Sequence, residues 1–353
     1  MKNEISRYKG LDILKCLCAF LIVNTHVINR TVCSTTEMFL KDFDRIAVPI
    51  FFMITGYFYE NTCNNNKEKS QMKKIGLLWV IGNIIAFVFE IVLYCIKGGS
   101  ALEYILESFT LRNLVYMILF NPSPFQGHLW YLSAILYVMI IATIINKVKL
   151  KKYVIKILPV IILSLLIIGI VIGRYSIMIL NRNPPVVYSR NWLFDGIPCF
   201  CTGYILNIYK NKICHFIQKA NFFTIVLCIF LTFFTMAEGY IVNKAFGLEN
   251  SGNILITTLP LAVSIFCVFL FGKSQIFDKY RIFNMMAVIG KEYSTWIYIL
   301  HYSLVVACYY ILETNNISNI NSLFLSFFLY VITIFFIWIF KFIYNTLKKK
   351  RVI

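Results

Sequence analysis

The stretch VIKILPVIILSLLIIGIVIG, residues 154–173, carries one charged side chain in 20 positions and decides the class of the fold. A helix of about 20 mostly apolar residues matches the hydrocarbon thickness of a bilayer. A second run, VITIFFIWIF (331–340), contains no charge at all. A membrane β-barrel shows short alternating segments instead of continuous runs. Of the 353 residues, 59% are apolar and 14% are charged, whereas a soluble domain is about a quarter charged. The expectation is an all-α, polytopic membrane helix bundle whose first partner is the lipid bilayer.

Working outward from 154–173, apolar segments of similar kind occur at 11–29, 45–60, 74–95, 128–146, 191–209, 222–242, 254–272, 293–312 and 322–345. That makes about ten transmembrane helices, joined by short polar loops such as 67–74, 147–152 and 273–281. Pro49 and Gly56 fall inside the second segment, where buried membrane helices tolerate them. The segment 101–120 is apolar but holds Glu103, Glu107 and Arg112, so it reads as an interfacial or re-entrant helix closed by NPSPFQG. No internal repeat, long linker or low-complexity tract interrupts the chain, which reads as one membrane domain, 1–353. The first segment carries Asp12 and Lys15 and lacks a small-x-small cleavage site, so it is expected to stay as the first span.

The net charge is +18, from 34 basic and 16 acidic residues. On the ten-span reading, 23 of the Lys and Arg side chains lie on one face and nine on the other. Basic loops stay cytosolic, which puts both termini in the cytosol. Charge placed in this way is a topology signal and excludes nucleic-acid binding. Most of the eleven cysteines lie inside apolar segments, where they behave as small hydrophobes. Each C-x-C pair points its side chains about 200° apart on a helix, the wrong geometry for one metal ion. No metal is expected. Neither G-x-x-x-x-G-K-[ST] nor G-x-G-x-x-G occurs, which argues against ATP-driven transport and dinucleotide chemistry.

Ionisable side chains inside spans are costly and ask for a partner or a purpose. They are Asp12, Lys15, His26, Glu90, Lys156, Asp195, Glu238, His301 and Lys341. Lys156 and Lys341 sit near cytosolic ends and can snorkel. Lys15 and His26 are eleven residues apart, so they share one helix face to within about 20°, with an offset of roughly 16 Å. Asp12 lies on the same side, one turn below Lys15. This stripe joins a cytosolic cation to an outer imidazole, the side chain best suited to move protons near neutral pH. The bland alternative is an Asp12–Lys15 ion pair with His26 marking the interface, and both stay open.

Of the other histidines, His215 lies in a basic loop, His128 at the outer end of a span, and His301 about two turns into the ninth. Alone, His301 is more often a hydrogen-bonded packing residue. Arg174, Arg182 and Arg190 form the arginine-rich outer loop, either a mouth for an anionic or sugar-like acceptor or an anchor in which Arg190 pairs with Asp195. Lys69, Lys73 and Lys74 cluster where the third span begins; they suit phosphates, and also simple positive-inside bias.

Five segments in order, LDILKCLCAFLIVNTH (11–26), VPIFFMITGYF (48–58), GHLWYLSAILY (127–137), RNWLFDGIPCFCTGYIL (190–206) and IGKEYSTWIYILHYSLV (289–305), resemble the membrane acyltransferase-3 family. Members O-acylate cell-envelope polysaccharides and related acceptors. The resemblance implies an acyl-CoA donor, commonly acetyl-CoA, arriving from the cytosol, and a hydroxyl acceptor on an envelope glycan outside the cytoplasmic membrane. The family pattern in the first span is a basic residue, usually arginine, ten residues, then histidine; Lys15 and His26 occupy those places. Thr55 stands where a serine is usual. Lys69, Lys73 and Lys74 stand in for a cytosolic R-x-x-R, and Ala134-Ile135 for a glutamate-containing continuation.

The resemblance thus implies catalysis by His26, as general base or transient acyl carrier, supported by Lys15 and Asp12. It implies donor binding by the three lysines, with His128, Trp130, Arg190, Asp195 and His301 on the acceptor side. Acceptor specificity is expected in 96–127 and 173–190. The RNWLFDGIPCF segment also resembles the membrane half of membrane-bound serine racemases, and the competing expectation is a non-enzymatic transporter of a small polar solute such as serine.

Overall fold

The computed structural model describes residues 2–30, 35–246, 254–272, 275–317 and 320–350. Among these residues every regular element is a helix. In chain order they are α1 (Lys2–Ile28), α2 (Thr35–Phe43), α3 (Ala47–Asn64), α4 (Glu68–Ile96), α5 (Ala101–Ser108), α6 (Leu111–Phe120), α7 (Trp130–Lys147), α8 (Lys151–Ile172) and α9 (Ser176–Leu180). The second half holds α10 (Ile197–Ile208), α11 (Lys210–Lys219), α12 (Asn221–Phe246), α13 (Thr258–Phe271), α14 (Gln275–Lys279), α15 (Arg281–Glu292), α16 (Ser294–Thr314) and α17 (Ser322–Lys350). The all-helical expectation is met.

Seven of the described helical segments are long and apolar enough to cross a bilayer: Lys9–Ile28, Glu68–Ile96, Gly127–Lys147, Lys151–Ile172, Phe222–Ala245, Ser294–Thr314 and Ser322–Lys348. The three other expected spans are helical but differ in build. Residues 45–60 pass from a 3-10 turn (Asp44–Ile46) into α3, residues 191–209 pass from a π-helical turn (Trp192–Gly196) into α10, and residues 254–272 contain α13. Each of these three helices has a proline within its first three residues, Pro49, Pro198 or Pro260. The first-turn N–H groups of a helix have no internal partner, so proline costs nothing there and marks a start. The segment 101–120 folds as α5 and α6, of 8 and 10 residues, each too short to span. Glu103, which looked anomalous in an apolar run, closes a capping box with Ser100.

The chain forms two compact units, one from residues 1–37 and 273–353, the other from residues 38–272. In the first, α1 packs on α15, α16 and α17. Cys16, Ala19, Val23 and Val27 bury against Ile297, Val305, Tyr309, Leu325, Leu329 and Tyr330. Two tyrosines set the rotation of α1: the Tyr330 hydroxyl donates to the Cys16 carbonyl and the Tyr309 hydroxyl to the Val27 carbonyl, both at 3.1 Å. Helix α15 fills the stretch between the expected polar loop 273–281 and the expected span 293–312; it abuts α1 so closely that a Cβ on Gly290 would collide with the Asp12 carbonyl. Lys341 meets the Glu292 carboxylate at 3.3 Å and lies over the Tyr293 ring at 4.0 Å.

In the second unit, α3 and α10 cross with their backbones touching. A Cβ on Gly56 would strike the Phe200 carbonyl, and one on Gly203 would strike the Met53 carbonyl. Small residues permit such approach in membrane helices, where close van der Waals packing drives association. Helices α4 and α8 bury only 11% and 6% of their apolar windows. Leu77, Val80, Ile84, Val160 and Leu163 stand exposed there, a surface that suits acyl chains and not water.

Arg174, in the outer loop read from sequence as either an acceptor mouth or an anchor, is 1% exposed and structural. It reaches both oxygens of the fully buried Asp42 at 2.8 and 2.9 Å and donates to Asn243 Oδ1 at 2.6 Å. Asn243 in turn donates to Asp42, and Arg45 pairs with it at 3.0 Å. Burial, then the like charge of Arg45, pulls the Arg174 guanidinium down to about 10, so it remains a cation at neutral pH. Glu238 on α12 is likewise saturated: it accepts from the Tyr175 hydroxyl, from the backbone N–H groups of Ile256 and Thr257, and from the Thr257 hydroxyl.

Candidate active site

The first unit brings two of the expected site residues together. His26, in the last turn of α1, lies with its ring 5.2 Å from that of His301 on α16, tilted by 44°. The neighbouring Tyr302 ring meets His26 edge-on at 5.0 Å. His301 is fully buried, and its Nδ1 donates to the Ile297 carbonyl at 2.8 Å. Only an N–H can face a carbonyl oxygen, so the neutral ring carries its proton on Nδ1 and its lone pair on Nε2. His26 is half-buried. One imidazole thus sits in the core with a fixed tautomer, and a second lies against it nearer the surface. That arrangement can orient a general base and hold its proton during turnover.

Three turns away, Lys15 Nζ pairs with Asp12 Oδ1 at 2.9 Å, both side chains partly exposed. The ion pair considered from sequence is therefore formed, and the Lys15 cation remains within the stripe. Tyr330, which fixes the adjacent Cys16, and Tyr309, which fixes Val27, hold both ends of the stripe in register.

The second unit holds the remaining expected residues. Lys69, Lys73 and Lys74 are exposed in the first two turns of α4. His128 and Trp130 are buried at the 3-10 turn that opens α7. Arg190 lies 5.9 Å over the Trp130 ring, and a Cβ on Gly127 would come within 3.8 Å of its guanidinium. His128, Trp130 and Arg190 therefore share one neighbourhood. Asp195 is buried inside the π-helical turn that precedes α10; such turns occur frequently at functional sites. Asn191 builds that turn, accepting from Leu193 and Phe194 N–H and donating to the Val187 and Tyr188 carbonyls. Glu90 accepts from Gln126 at 2.8 Å, and Asn83, two turns earlier on α4, accepts from Ser123 at the same distance.

Residues 8–342 match the acyltransferase-3 family, described as an acyltransferase domain. The chain belongs to this family.

Among its relatives, this acyltransferase-3 chain is similar to two curated proteins from Enterococcus faecalis, both named amino-acid racemase. One is 27% identical over 286 residues, 76% of this chain and 36% of the relative; the other is 25% identical over 148 residues, 39% of this chain and 20% of the relative. The acyltransferase-3 chain thus spans about a third of one of these curated relatives and a fifth of the other. No solved structure matches it.

Several residues of the site neighbourhood were not singled out from sequence. Tyr302 adjoins His301, and Arg30 follows His26 by four positions, in the turn after α1; that proximity in sequence was available as a signal. Tyr309 and Tyr330 had none, because an aromatic residue in an apolar run looks the same whether or not its hydroxyl is used.

Proposed function

We propose that this membrane acyltransferase moves an acyl group, commonly acetyl, from cytosolic acyl-CoA to a hydroxyl of an envelope glycan or related acceptor outside the cytoplasmic membrane. In this reading the chain crosses ten times with both termini in the cytosol. The observation that carries it is His26 held against His301 and Tyr302 in a chain of this family.

His26 takes the proton from the acceptor hydroxyl as its oxygen attacks the thioester carbonyl. The C–S bond breaks, CoA leaves as the thiolate, and the proton is returned to it. His301, fixed by the Ile297 carbonyl, orients His26. Lys15, tethered by Asp12, offers positive charge to the negative charge that develops along the donor path. Lys69, Lys73 and Lys74 hold donor phosphates as point charges. His128, Trp130, Arg190 and Asp195 serve the acceptor side.

Sealed membrane vesicles supplied with radiolabelled acetyl-CoA on the cytosolic face test this. Label is expected in envelope glycan with the wild-type chain and to fall by about 10²–10⁴ with His26→Ala, while the protein stays inserted. Unchanged labelling removes His26 from the chemistry. One second reading, motivated by the ionisable side chains inside apolar segments, is passage of a small polar solute such as serine. Labelled serine accumulating in vesicles without acyl-CoA, and no label reaching glycan, would select it.

A further inference from the structure

Arg30 is exposed in the turn that follows α1, its backbone N–H donating to the Val27 carbonyl at 3.0 Å. Its Nη2 lies 3.3 Å from the Tyr302 hydroxyl, and its guanidinium lies 5.6 Å and 5.8 Å from the centres of the Tyr302 and Tyr309 rings. Among the described residues no carboxylate forms an ion pair with it. Aromatic faces attract and orient a guanidinium without neutralising it. Most of its five N–H donors therefore remain available to a planar oxyanion, which a guanidinium binds in bidentate fashion. Tyr302 is the link: the same ring that meets His26 edge-on also supports Arg30. A cation held at an aromatic shelf beside the candidate base has the form of a recognition subsite.

We infer that Arg30 binds an anionic group of the acceptor, so that the acceptor carries a carboxylate or a phosphate close to the hydroxyl that reacts. The inference rests on the reading of His26 as the acylation centre. The bland account of Arg30 is a cation complementing the C-terminal end of α1, worth about 0.3–1 kcal/mol. That role needs no orientation by two rings, and lysine serves it equally well.

Equilibrium dialysis of the full chain in lipid nanodiscs separates these accounts without requiring turnover. The probes are radiolabelled hexagalacturonate, a glycerol phosphate hexamer and, as the neutral control, maltohexaose. One or both anionic probes are expected to bind at least about tenfold tighter than maltohexaose, as charge-assisted hydrogen bonds require; which of them does identifies the anion as carboxylate or phosphate. Arg30→Gln is expected to abolish the preference and Arg30→Lys to keep part of it, while His26→Ala leaves it intact. Equal binding of neutral and anionic probes, or an Arg30→Gln chain that keeps the preference, overturns the inference. Failure of the acylation reading would register elsewhere, as undiminished acetyl transfer by His26→Ala.

Discussion

His26 and His301, 275 positions apart in the chain, place their imidazole rings 5.2 Å from each other. His301 is fully buried and anchored to the Ile297 carbonyl, whereas His26 is half-buried and nearer the surface. This division suits one ring to chemistry and the other to orientation.

Replacing His301 therefore separates orientation from binding. His301→Gln is expected to lower kcat by about 10- to 100-fold, less than the 10²–10⁴ typical of losing a general base, with KM for the donor unchanged. The pH–rate profile of the variant is expected to shift, because the ring facing His26 is gone. Initial-rate kinetics across pH in proteoliposomes checks both; a variant with wild-type kcat and profile would leave His301 a packing residue.

The crossing of α3 and α10 predicts unequal glycine tolerance. Gly56→Ala and Gly203→Ala each push a Cβ into a facing carbonyl and are expected to cost about 1–3 kcal/mol. In Gly76→Ala the new Cβ meets only the Leu136 side chain, at 3.9 Å. That variant is expected to be neutral or to gain about 0.5–1 kcal/mol from helix propensity. Thermal unfolding midpoints in detergent rank the three.

Asp42 predicts a stability effect that depends on which partner is lost. Asp42→Asn leaves Arg174 and Arg45 without their shared carboxylate and is expected to destabilise by about 3–5 kcal/mol. Asp42→Asn combined with Arg174→Met removes one of the stranded charges and is expected to recover part of that loss. A double variant less stable than either single change would show that the network is not coupled as drawn.

Topology is testable through cysteine. Cys95 is exposed at the end of α4, and Cys214 lies in α11 among basic residues. In single-cysteine chains, a membrane-impermeant maleimide is expected to label Cys95 in intact cells and Cys214 only after permeabilisation. The reverse pattern would invert the orientation drawn from basic loops.

Much of the fold was legible because a bilayer imposes local rules. Apolar length and charge are read one segment at a time, so 154–173 declared a spanning helix without reference to any neighbour. The proline-headed helices α10 and α13 were placed but overestimated in length, and α3 begins two residues later and runs four residues further than expected, because apolar content does not reveal where the first turn begins. Helix α15 was missed: it lies between the expected loop 273–281 and the expected span 293–312, and its fit against α1 depends on Gly290 and a carbonyl in another segment.

The sequence by itself determined an all-helical membrane chain, through the apolar length of its segments, its kinship, through the resemblance of five segments to a family, and the stripe of Asp12, Lys15 and His26 on one face, through spacing along a single helix. Only the tertiary structure decided that His26 meets His301 and Tyr302, that Arg30 rests on two rings, and that Arg174 is sequestered by Asp42. Those outcomes depend on how each helix is rotated about its own axis. That rotation is set by tyrosine hydroxyls and glycine contacts between segments far apart in the chain, and local periodicity does not encode it.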